Sequence, residues 1–232
     1  MIRTGRVSLN GNIRRDPETP VSEQDARIAV DGAVIEASAK TYLMLNKPRG
    51  VVTTARDEQG RETVYGLLGA SHATEGSPKT DVLPWLAPVG RLDKASEGLL
   101  LLTNDSEWGA RIAAPETHLP KTYHVQIATV ADEALIQALM DGVKVSDREV
   151  LRAKHASPVR AGEKNSWIEI VLDEGKNRQI RRMMEAMGIE VLRLVRVAIG
   201  PLQMGDLAKG ACRPLTANEK RMLDGSPRQA SR

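Results

Sequence analysis

The sequence predicts an α+β protein with one main sheet, and three observations support this fold class. Short apolar segments with the patterns of strands occur along the whole chain. Two segments with helical spacing, at 131–141 and 177–187, lie among them. The predicted strands and helices vary in length and do not alternate regularly, which argues against a doubly wound parallel fold.

Residues 1–38 are predicted to form a small β-rich unit. Asn10-Gly11 and Asp31-Gly32 each follow a short alternating apolar segment. Both pairs favour two-residue hairpin turns, because both of their positions tolerate a positive φ angle. A unit of this length buries little apolar surface on its own. We expect residues 36–39 to link it to the rest of the chain.

The next segments predict two strands, a loop and a helix. Residues 42–45 predict a strand. Residues 71–81 are polar and contain glycine and proline, which is typical of an exposed loop. Residues 99–102 are four consecutive leucines and predict a fully buried strand. Asn104 or Asp105 is expected to cap a short helix after it.

The C-terminal half predicts two strands, each followed by a helix. Residues 123–130 and 167–172 have the composition of strands. The helices at 131–141 and 177–187 are each followed by a glycine, which commonly ends a helix. Residues 223–232 are predicted to form a flexible polar tail.

The composition excludes several classes of protein. The chain of 232 residues has 33 basic and 30 acidic residues, and this net charge of +3 rules out an acidic solvating protein but permits a nucleic-acid partner. Its single cysteine excludes an intramolecular disulfide and a cysteine-based zinc site. No apolar segment approaches the roughly 20 residues of a membrane helix, and the N-terminus lacks the apolar region of a signal peptide. We therefore expect a soluble cytoplasmic protein.

Several well-known cofactor motifs are absent from the sequence. It contains no glycine-rich phosphate loop, no Gly-x-Ser-x-Gly motif and no His-Glu-x-x-His motif. Nothing in the sequence therefore implies a nucleotide, flavin or metal cofactor.

The predicted helix at 177–187 carries a basic face. Arg178, Arg181 and Arg182 fall within an arc of about 100°. A solvated basic face is one interpretation of this pattern. The other is an anion site, because cations near a helix N-terminus oppose the helix dipole. Within the helix, only Glu185 lies in reach of Arg181 as an acidic partner.

A charged loop at residues 90–98 precedes the leucine strand. Loops held by a rigid strand commonly carry catalytic groups. One alternative is a surface turn in which the four charged side chains merely pair with each other. Another is a carbohydrate-active enzyme that uses Asp93 and Glu97 as its two carboxylates. The spacing of the charges does not choose among these interpretations.

Tyr123 is one of few aromatic side chains in a chain that has no phenylalanine and only 3% aromatic residues. Its ring could belong to the core. It is also one of few rings that could stack on a nucleic-acid base.

Four stretches of the sequence match the motifs of a known family in order. They are Asn46–Gly50, Gly90–Asp105, Lys121–Tyr123 and Glu174–Met183. Four motifs in order are far more specific than any one of them. Over residues 40–222 the chain therefore resembles the RsuA-type family of ribosomal RNA pseudouridine synthases.

The resemblance implies the fold and the domain boundaries. The family has a mixed, mostly antiparallel sheet with flanking helices and a central catalytic cleft, which implies a catalytic domain at 39–222. Residues 1–38 resemble the second half of an S4 RNA-binding domain and so imply a partial S4-like module. Residues 223–232 would be the tail.

The resemblance also implies three catalytic residues. Asp93 would be the catalytic carboxylate, which either attacks C1′ of the target uridine or removes the C2′ proton. Both roles need an ionised carboxylate in a pocket that excludes water, where desolvation disfavours the charge. Arg181 would offset that cost by a two-pronged contact with Asp93. Tyr123 would stack on the extruded uracil and help to remove the C5 proton.

The remaining implied contacts are with RNA. Arg91 would occupy the space left by the extruded base, and Leu194 would form an apolar pocket wall. The residues implied to contact phosphates are Lys47, Lys176, Arg178 and Arg182.

The implied substrate is ribosomal RNA, 23S rather than 16S, with no cofactor and no metal. We expect a monomer with no membrane partner. The alternative function is a non-catalytic RNA-binding or ribosome-assembly protein on the same fold.

Overall fold

The computed structural model describes most of the chain in two compact units, residues 1–39 and 40–232. The described residues are 1–22, 27–35, 38–54, 57–71 and 84–225. Apart from Ser71, the predicted loop at 71–81 lies outside them, as do residues 36 and 37 of the predicted linker.

The smaller unit is a four-stranded antiparallel sheet. Its strands are β1 (Val7–Leu9), β2 (Asn12–Arg14), β3 (Ile28–Val30) and β4 (Ala33–Val34), in the order β2-β1-β3-β4. Asn10 and Asp31 both have a φ angle of 51°, as the two predicted hairpin turns require. The hairpin predictions are therefore confirmed. Among the described residues of this unit, Ala29 alone is buried.

The larger unit is built on a nine-stranded sheet and a separate hairpin. The strands of the unit are β5 (Tyr42–Lys47), β6 (Ala87–Val89), β7 (Glu97–Thr103), β8 (Lys121–Ile127), β9 (Val143–Ser146), β10 (Glu149–Leu151), β11 (His155–Ala161), β12 (Ser166–Leu172), β13 (Val191–Ile199), β14 (Leu202–Gln203) and β15 (Cys212–Pro214). The main sheet has the order β11-β12-β8-β13-β7-β5-β15, with β14 beside β13 and β6 beside β7, and β9 and β10 form the hairpin. Among the strands that the structure describes, only β7 and β13 pair in parallel, so the predicted mixed, mostly antiparallel sheet is confirmed.

Five α-helices and a short 3₁₀ helix at Pro115–Thr117 complete the described part of this unit. The α-helices are α1 (Val64–Ser71), α2 (Ser106–Ala113), α3 (Glu133–Asp141), α4 (Gln179–Ala186) and α5 (Ala217–Asp224). The side chain of Asp105 caps α2 by accepting a hydrogen bond from the backbone nitrogen of Trp108 at 3.2 Å, as predicted. Among the described residues, no helix is both long enough and apolar enough to cross a membrane.

Strand β7 lies at the centre of the larger unit, and all seven of its residues are buried. Leu99 and Leu101 pack into one apolar cluster, whereas Leu100 and Leu102 pack into another on the opposite side of the sheet. The predicted buried leucine strand is therefore confirmed. Its rigid core position fixes the loop that immediately precedes it.

Several predicted boundaries differ from the structure by two or more residues, and two of them change the assignment of the tail and of the basic face. The predicted tail begins at residue 223, but Leu223 is 1% exposed and Asp224 accepts hydrogen bonds from Trp108 and Arg111, so α5 continues through both residues. Residues 226–232 lie outside the described part of the chain. Helix α4 begins at Gln179 rather than at residue 177, because Arg178 adopts a left-handed conformation with a φ angle of 49°. Arg178 is therefore not part of the helical face.

Candidate active site

One cleft in the larger unit brings together segments that are far apart in the sequence. The loop before β7, the start of β8, strand β13 and the turn before α4 line a cavity of about 300 Å³. Six of the predicted site residues line it, namely Arg91, Asp93, Tyr123, Lys176, Arg178 and Leu194. The predicted residues that do not line it are Lys47, Arg181 and Arg182.

The loop that carries Asp93 is held by backbone contacts. The hydroxyl of Thr53 donates to the carbonyl oxygen of Leu92 at 2.8 Å, and Leu92 itself is buried. The backbone nitrogen of Ser96 donates to the carbonyl oxygen of Asp93 at 2.9 Å. Asp93 is exposed in the cleft, so the water-excluding pocket expected from the sequence is not formed by the chain alone. The cleft is open on the side of this carboxylate.

Arg181 lies close to this loop but is not paired with Asp93. Its Nη2 atom donates to the carbonyl oxygen of Ala95 at 3.0 Å, and no ion pair joins it to Asp93 in the described structure. The expected two-pronged contact is therefore absent, because the carbonyl of Ala95 holds the guanidinium two residues further along the loop. Burial lowers the pKa of Arg181, and the negative charge of Asp93 partly opposes this shift.

Lys47 is fully buried, so its predicted role as a phosphate contact is wrong in this structure. Its ammonium group donates to the carbonyl oxygens of Pro48, Val51 and Ser96 at 2.9, 2.7 and 2.8 Å. Burial lowers the pKa of Lys47 to about 8, although the negative charges of Glu97 and Asp93 act to raise it. The side chain thus ties the end of β5 to the loop before β7.

Arg182 has an acidic partner that the sequence pattern of α4 does not reveal. It forms an ion pair with Glu149 on β10, and this contact raises the pKa of Arg182. The acidic partners of the predicted basic face are therefore not limited to Glu185 within the helix. Lys176 and Arg178 remain exposed at the edge of the cleft, although Lys176 lies 3.1 Å from Glu174.

Two neighbouring strands supply the ring and the apolar wall of the cleft. Tyr123 on β8 is half-buried and pairs with Arg196 on β13. Leu194, two residues before Arg196, is buried and lines the same cleft. The structure thus gathers Tyr123 and Leu194 around the cavity that Asp93 also faces.

Two basic residues that line the cleft were missed by sequence reasoning. Arg196 is only 5% exposed, and its Nε atom donates to the carbonyl oxygen of Leu99 at 2.7 Å. Lys121 is half-buried, and burial lowers its pKa, as does the positive charge of Arg196. A signal existed for both: Arg196 lies two residues after Leu194 and thus on the same face of a mostly apolar strand, and Lys121 lies two residues before Tyr123 and thus on the same face of β8.

Three buried side-chain polar atoms lack a hydrogen-bond partner in the described structure. They are Oε1 of Gln179, Nε of Arg181 and Nη2 of Arg196. Gln179 and Arg196 line the cleft, and Arg181 contacts the loop that carries Asp93. Unpaired buried polar groups are rare in native proteins. Their concentration here indicates a site that a polar ligand completes.

Glu97 does not form a catalytic carboxylate pair with Asp93. It is 4% exposed and is held by Arg193 at 3.0 Å and by Lys209 at 2.7 Å. Burial acts to raise the pKa of Glu97, but the hydrogen bonds from these two cations outweigh it and leave the pKa lowered. A carboxylate held ionised in this way is a poor general acid, which argues against the carbohydrate-active interpretation. Among the described residues, no cluster of three acidic, histidine or cysteine side chains could hold a metal ion.

Comparisons with known proteins identify the family of the chain. The sequence model of a family described as RNA pseudouridylate synthase matches residues 41–186. The ribosomal large subunit pseudouridine synthase B of Bacillus subtilis (strain 168) is 32% identical over 224 residues, which cover 96% of this chain and 87% of that protein. The protein of the same name from Yersinia pestis is 33% identical over 210 residues, which cover 88% of this chain and 62% of that protein. A crystal structure of a pseudouridylate synthase is similar with a TM-score of 0.65 and 30% identity, and the match covers 96% of this chain and 90% of that one.

Proposed function

The chain belongs to the RNA pseudouridylate synthase family and is an RNA pseudouridine synthase, and from this premise we propose that it isomerises a specific uridine of large-subunit ribosomal RNA. The names of the relatives from Bacillus subtilis and Yersinia pestis support this substrate. The observation that carries the proposal is the cleft, which Asp93 and Tyr123 both line although they lie on different elements.

The proposed reaction needs only groups that the cleft supplies. The bond between C1′ and N1 of uridine breaks, the base turns, C5 bonds to C1′, the C5 proton is lost and N1 takes up a proton. No atom is gained or lost overall, so no cofactor is required. In this proposal Asp93 either bonds to C1′ or removes the C2′ proton, and both routes use an ionised carboxylate at the position where the ribose enters.

Base extrusion explains why Asp93 is exposed. A uridine stacked in RNA must leave the stack at a cost of a few kcal/mol before the cleft can hold it. Once bound, the nucleoside itself covers Asp93 and excludes water, which strengthens the interaction of the carboxylate with Arg181. In this state the guanidinium of Arg181, whose Nε atom is unpaired, turns its free donor towards the carboxylate. Tyr123 stacks on the uracil, and Leu194 forms the apolar wall.

The edge of the cleft is suited to the RNA backbone. Arg91, Lys176 and Arg178 are exposed and line the cleft. Arg178 lies immediately before α4, so a phosphate there also meets the positive end of the helix dipole. In the proposal Lys176 and Arg178 contact phosphates, and Arg91 occupies the space left by the extruded uridine.

Mapping of modified uridines tests this function. Ribosomal RNA from cells that lack the gene is incubated with the full chain, and carbodiimide-resistant adducts are located by reverse transcription. We expect a new stop in 23S RNA with the wild type and none with Asp93→Asn, which should still bind the RNA. Asp147→Asn is the matched control, because Asp147 is fully solvated on the turn between β9 and β10. A new stop in 16S RNA alone would overturn the substrate, and undiminished turnover by Asp93→Asn would overturn the role of Asp93.

A further inference from the structure

Two cations in the cleft have no part in the contacts proposed so far. Arg196 on β13 pairs with Tyr123 on β8, so their side chains lie on the same face of the sheet. Lys121 lies two residues before Tyr123 in β8 and shares that face. Both basic residues line the cleft. They are therefore neighbours of the ring that is proposed to stack on the target uracil.

Neither cation has an anionic partner in the described part of the chain. Among the residues that the structure describes, no ion pair within 4 Å involves Lys121 or Arg196, and the negative charge of Asp173 only partly opposes the lowering of the pKa of Lys121. The Nε atom of Arg196 is bonded to the carbonyl oxygen of Leu99, but its Nη2 atom is buried with no acceptor. A buried cation with an unpaired donor is costly, and a second cation beside it adds repulsion. A ligand that brings acceptor atoms or negative charge would remove both penalties.

The extruded nucleotide offers two such groups, a phosphate and the carbonyl oxygens of the base. The phosphates can be met at the edge of the cleft, where Lys176 and Arg178 are exposed. Arg196 is 5% exposed and lies beside Tyr123, where the base rather than the backbone is expected. Resting on the function proposed above, we propose that Arg196 and Lys121 bind the carbonyl oxygens of the extruded uracil and stabilise the negative charge of the base when its bond to C1′ breaks.

The charge arises whichever route Asp93 follows. When the C1′–N1 bond breaks, its electron pair stays on the base and is delocalised over N1, O2 and O4. C1′, which has lost this electron pair, forms a bond to an oxygen of Asp93 on one route. On the other route Asp93 removes the C2′ proton, and the electrons of the C2′–H bond form a double bond to C1′. C5 of the anion then bonds to C1′, while Asp93 departs or returns the proton to C2′. Loss of the C5 proton and protonation of N1 complete the reaction. Lys121 and Arg196 transfer no proton in any of these steps.

Lys121→Gln and Arg196→Gln test this assignment in the full chain. We expect each to slow single-turnover formation of pseudouridine on the order of a hundredfold, the usual effect of removing one donor to a developing anion. The Kd for the RNA should stay within about twofold, since the phosphate contacts are untouched. Lys144→Gln and Arg160→Gln make the same chemical changes at exposed positions on β9 and β11 and serve as controls.

A second substrate distinguishes charge stabilisation from other roles. In RNA transcribed with 5-fluorouridine, the fluorine withdraws electrons and stabilises the uracil anion without help from the protein. The variants should therefore lose much less rate on this RNA, with the C-linked nucleoside quantified by mass spectrometry of a nuclease digest. Equal losses on both RNAs would overturn the proposal, as a purely structural role predicts. A weaker Kd with a smaller salt dependence would overturn it in favour of a phosphate contact.

The experiment distinguishes a failure of the role of Lys121 and Arg196 from a failure of the proposed function. If Arg196→Gln does not fold, Arg196→Lys and Lys121→Gln carry the test, because Lys121 is only half-buried. A wild-type chain that forms no C-linked nucleoside in either RNA overturns the proposed function. An active wild type together with fully active Lys121 and Arg196 variants overturns only the role of the two cations.

Discussion

The ammonium nitrogen of Lys47 lies 2.8 Å from the carbonyl oxygen of Ser96, three residues beyond Asp93. The same ammonium binds the carbonyl oxygens of Pro48 and Val51. Lys47 therefore joins the end of β5 to the loop that carries the proposed catalytic carboxylate. Lys47 positions that loop from within the core, and its side chain has no exposed surface that could contact RNA.

Lys47→Met should destabilise the fold and slow the reaction without weakening RNA binding. Three buried carbonyl groups would lose their donor, which should lower the free energy of unfolding by about 3 kcal/mol. Urea unfolding, single-turnover kinetics and the Kd for ribosomal RNA measure these effects, and Lys144→Met on the exposed face of β9 is the control. A weaker Kd with unchanged stability would instead restore the phosphate contact predicted from the sequence.

Arg181→Lys should lose most activity while keeping the fold. An ammonium group can still bind the carbonyl oxygen of Ala95, but all its donors sit on one nitrogen, so it cannot form the planar two-pronged contact with Asp93 that a guanidinium can. We expect single-turnover rates to fall on the order of tenfold to a hundredfold, with circular dichroism unchanged. Arg160→Lys on β11 provides the matched substitution at an exposed position. Wild-type turnover by Arg181→Lys would mean that the second contact is never made.

Tyr123→Phe should keep base stacking and remove only the hydroxyl group. We expect an unchanged Kd for RNA and slower loss of the C5 proton, on the order of a hundredfold for a lost proton-transfer group. With RNA that carries deuterium at C5 of uridine, an isotope effect on product formation should therefore appear or increase in the variant. Identical rates and isotope effects in both proteins would show that the hydroxyl takes no part in the reaction.

Glu219 should stabilise helix α5 in a pH-dependent manner. Arg213 donates to its carboxylate at 2.6 and 2.8 Å, and this contact, together with the capping bonds to Thr216, lowers the pKa of Glu219 from 4.5 to about 2. The stabilisation is then fully present above about pH 4.5 and is lost as the pH falls through 2.

Glu219→Gln tests the direction of this pH dependence, because the amide keeps the capping geometry and removes the charge. At pH 7 the variant should be less stable by about 1 kcal/mol, the usual size of a helix-capping effect. Urea midpoints of the two proteins should converge as the pH is lowered from 4.5 towards 2. A constant difference across that range would mean that the charge of Glu219 contributes nothing.

Much of the fold could be predicted because its signals are local. The Asn10-Gly11 and Asp31-Gly32 pairs determine their turns through their own backbone preferences. The run of leucines in β7 requires burial on both faces. Asp105 caps α2 through a bond to a residue only three positions away. Those cleft residues that were predicted were identified by resemblance to family motifs, since no local pattern brings Asp93 and Tyr123 to one cleft.

The failed predictions at the site mostly involve contacts between residues distant in sequence. Glu149 lies 33 positions from Arg182, so no helical spacing could reveal that pair. Lys47 stands before a Pro-Arg-Gly turn that looks exposed, yet its ammonium group reaches Ser96, 49 positions away. The burial of Arg196 follows from its place between β8 and β7 in the sheet, which depends on the order of strands rather than on their composition.

The close approach of β7 and β13 gives Gly98 a function that no other residue could perform. A Cβ atom at this position would lie 2.3 Å from the carbonyl oxygen of Arg196, and the φ angle of Gly98 is 102°. Any side chain there would push β13 sideways and carry Leu194 and Arg196 away from the loop of Asp93. The missing side chain of Gly98 thus lets β13, which carries the cleft residues Leu194 and Arg196, lie directly against the strand that follows the loop of Asp93.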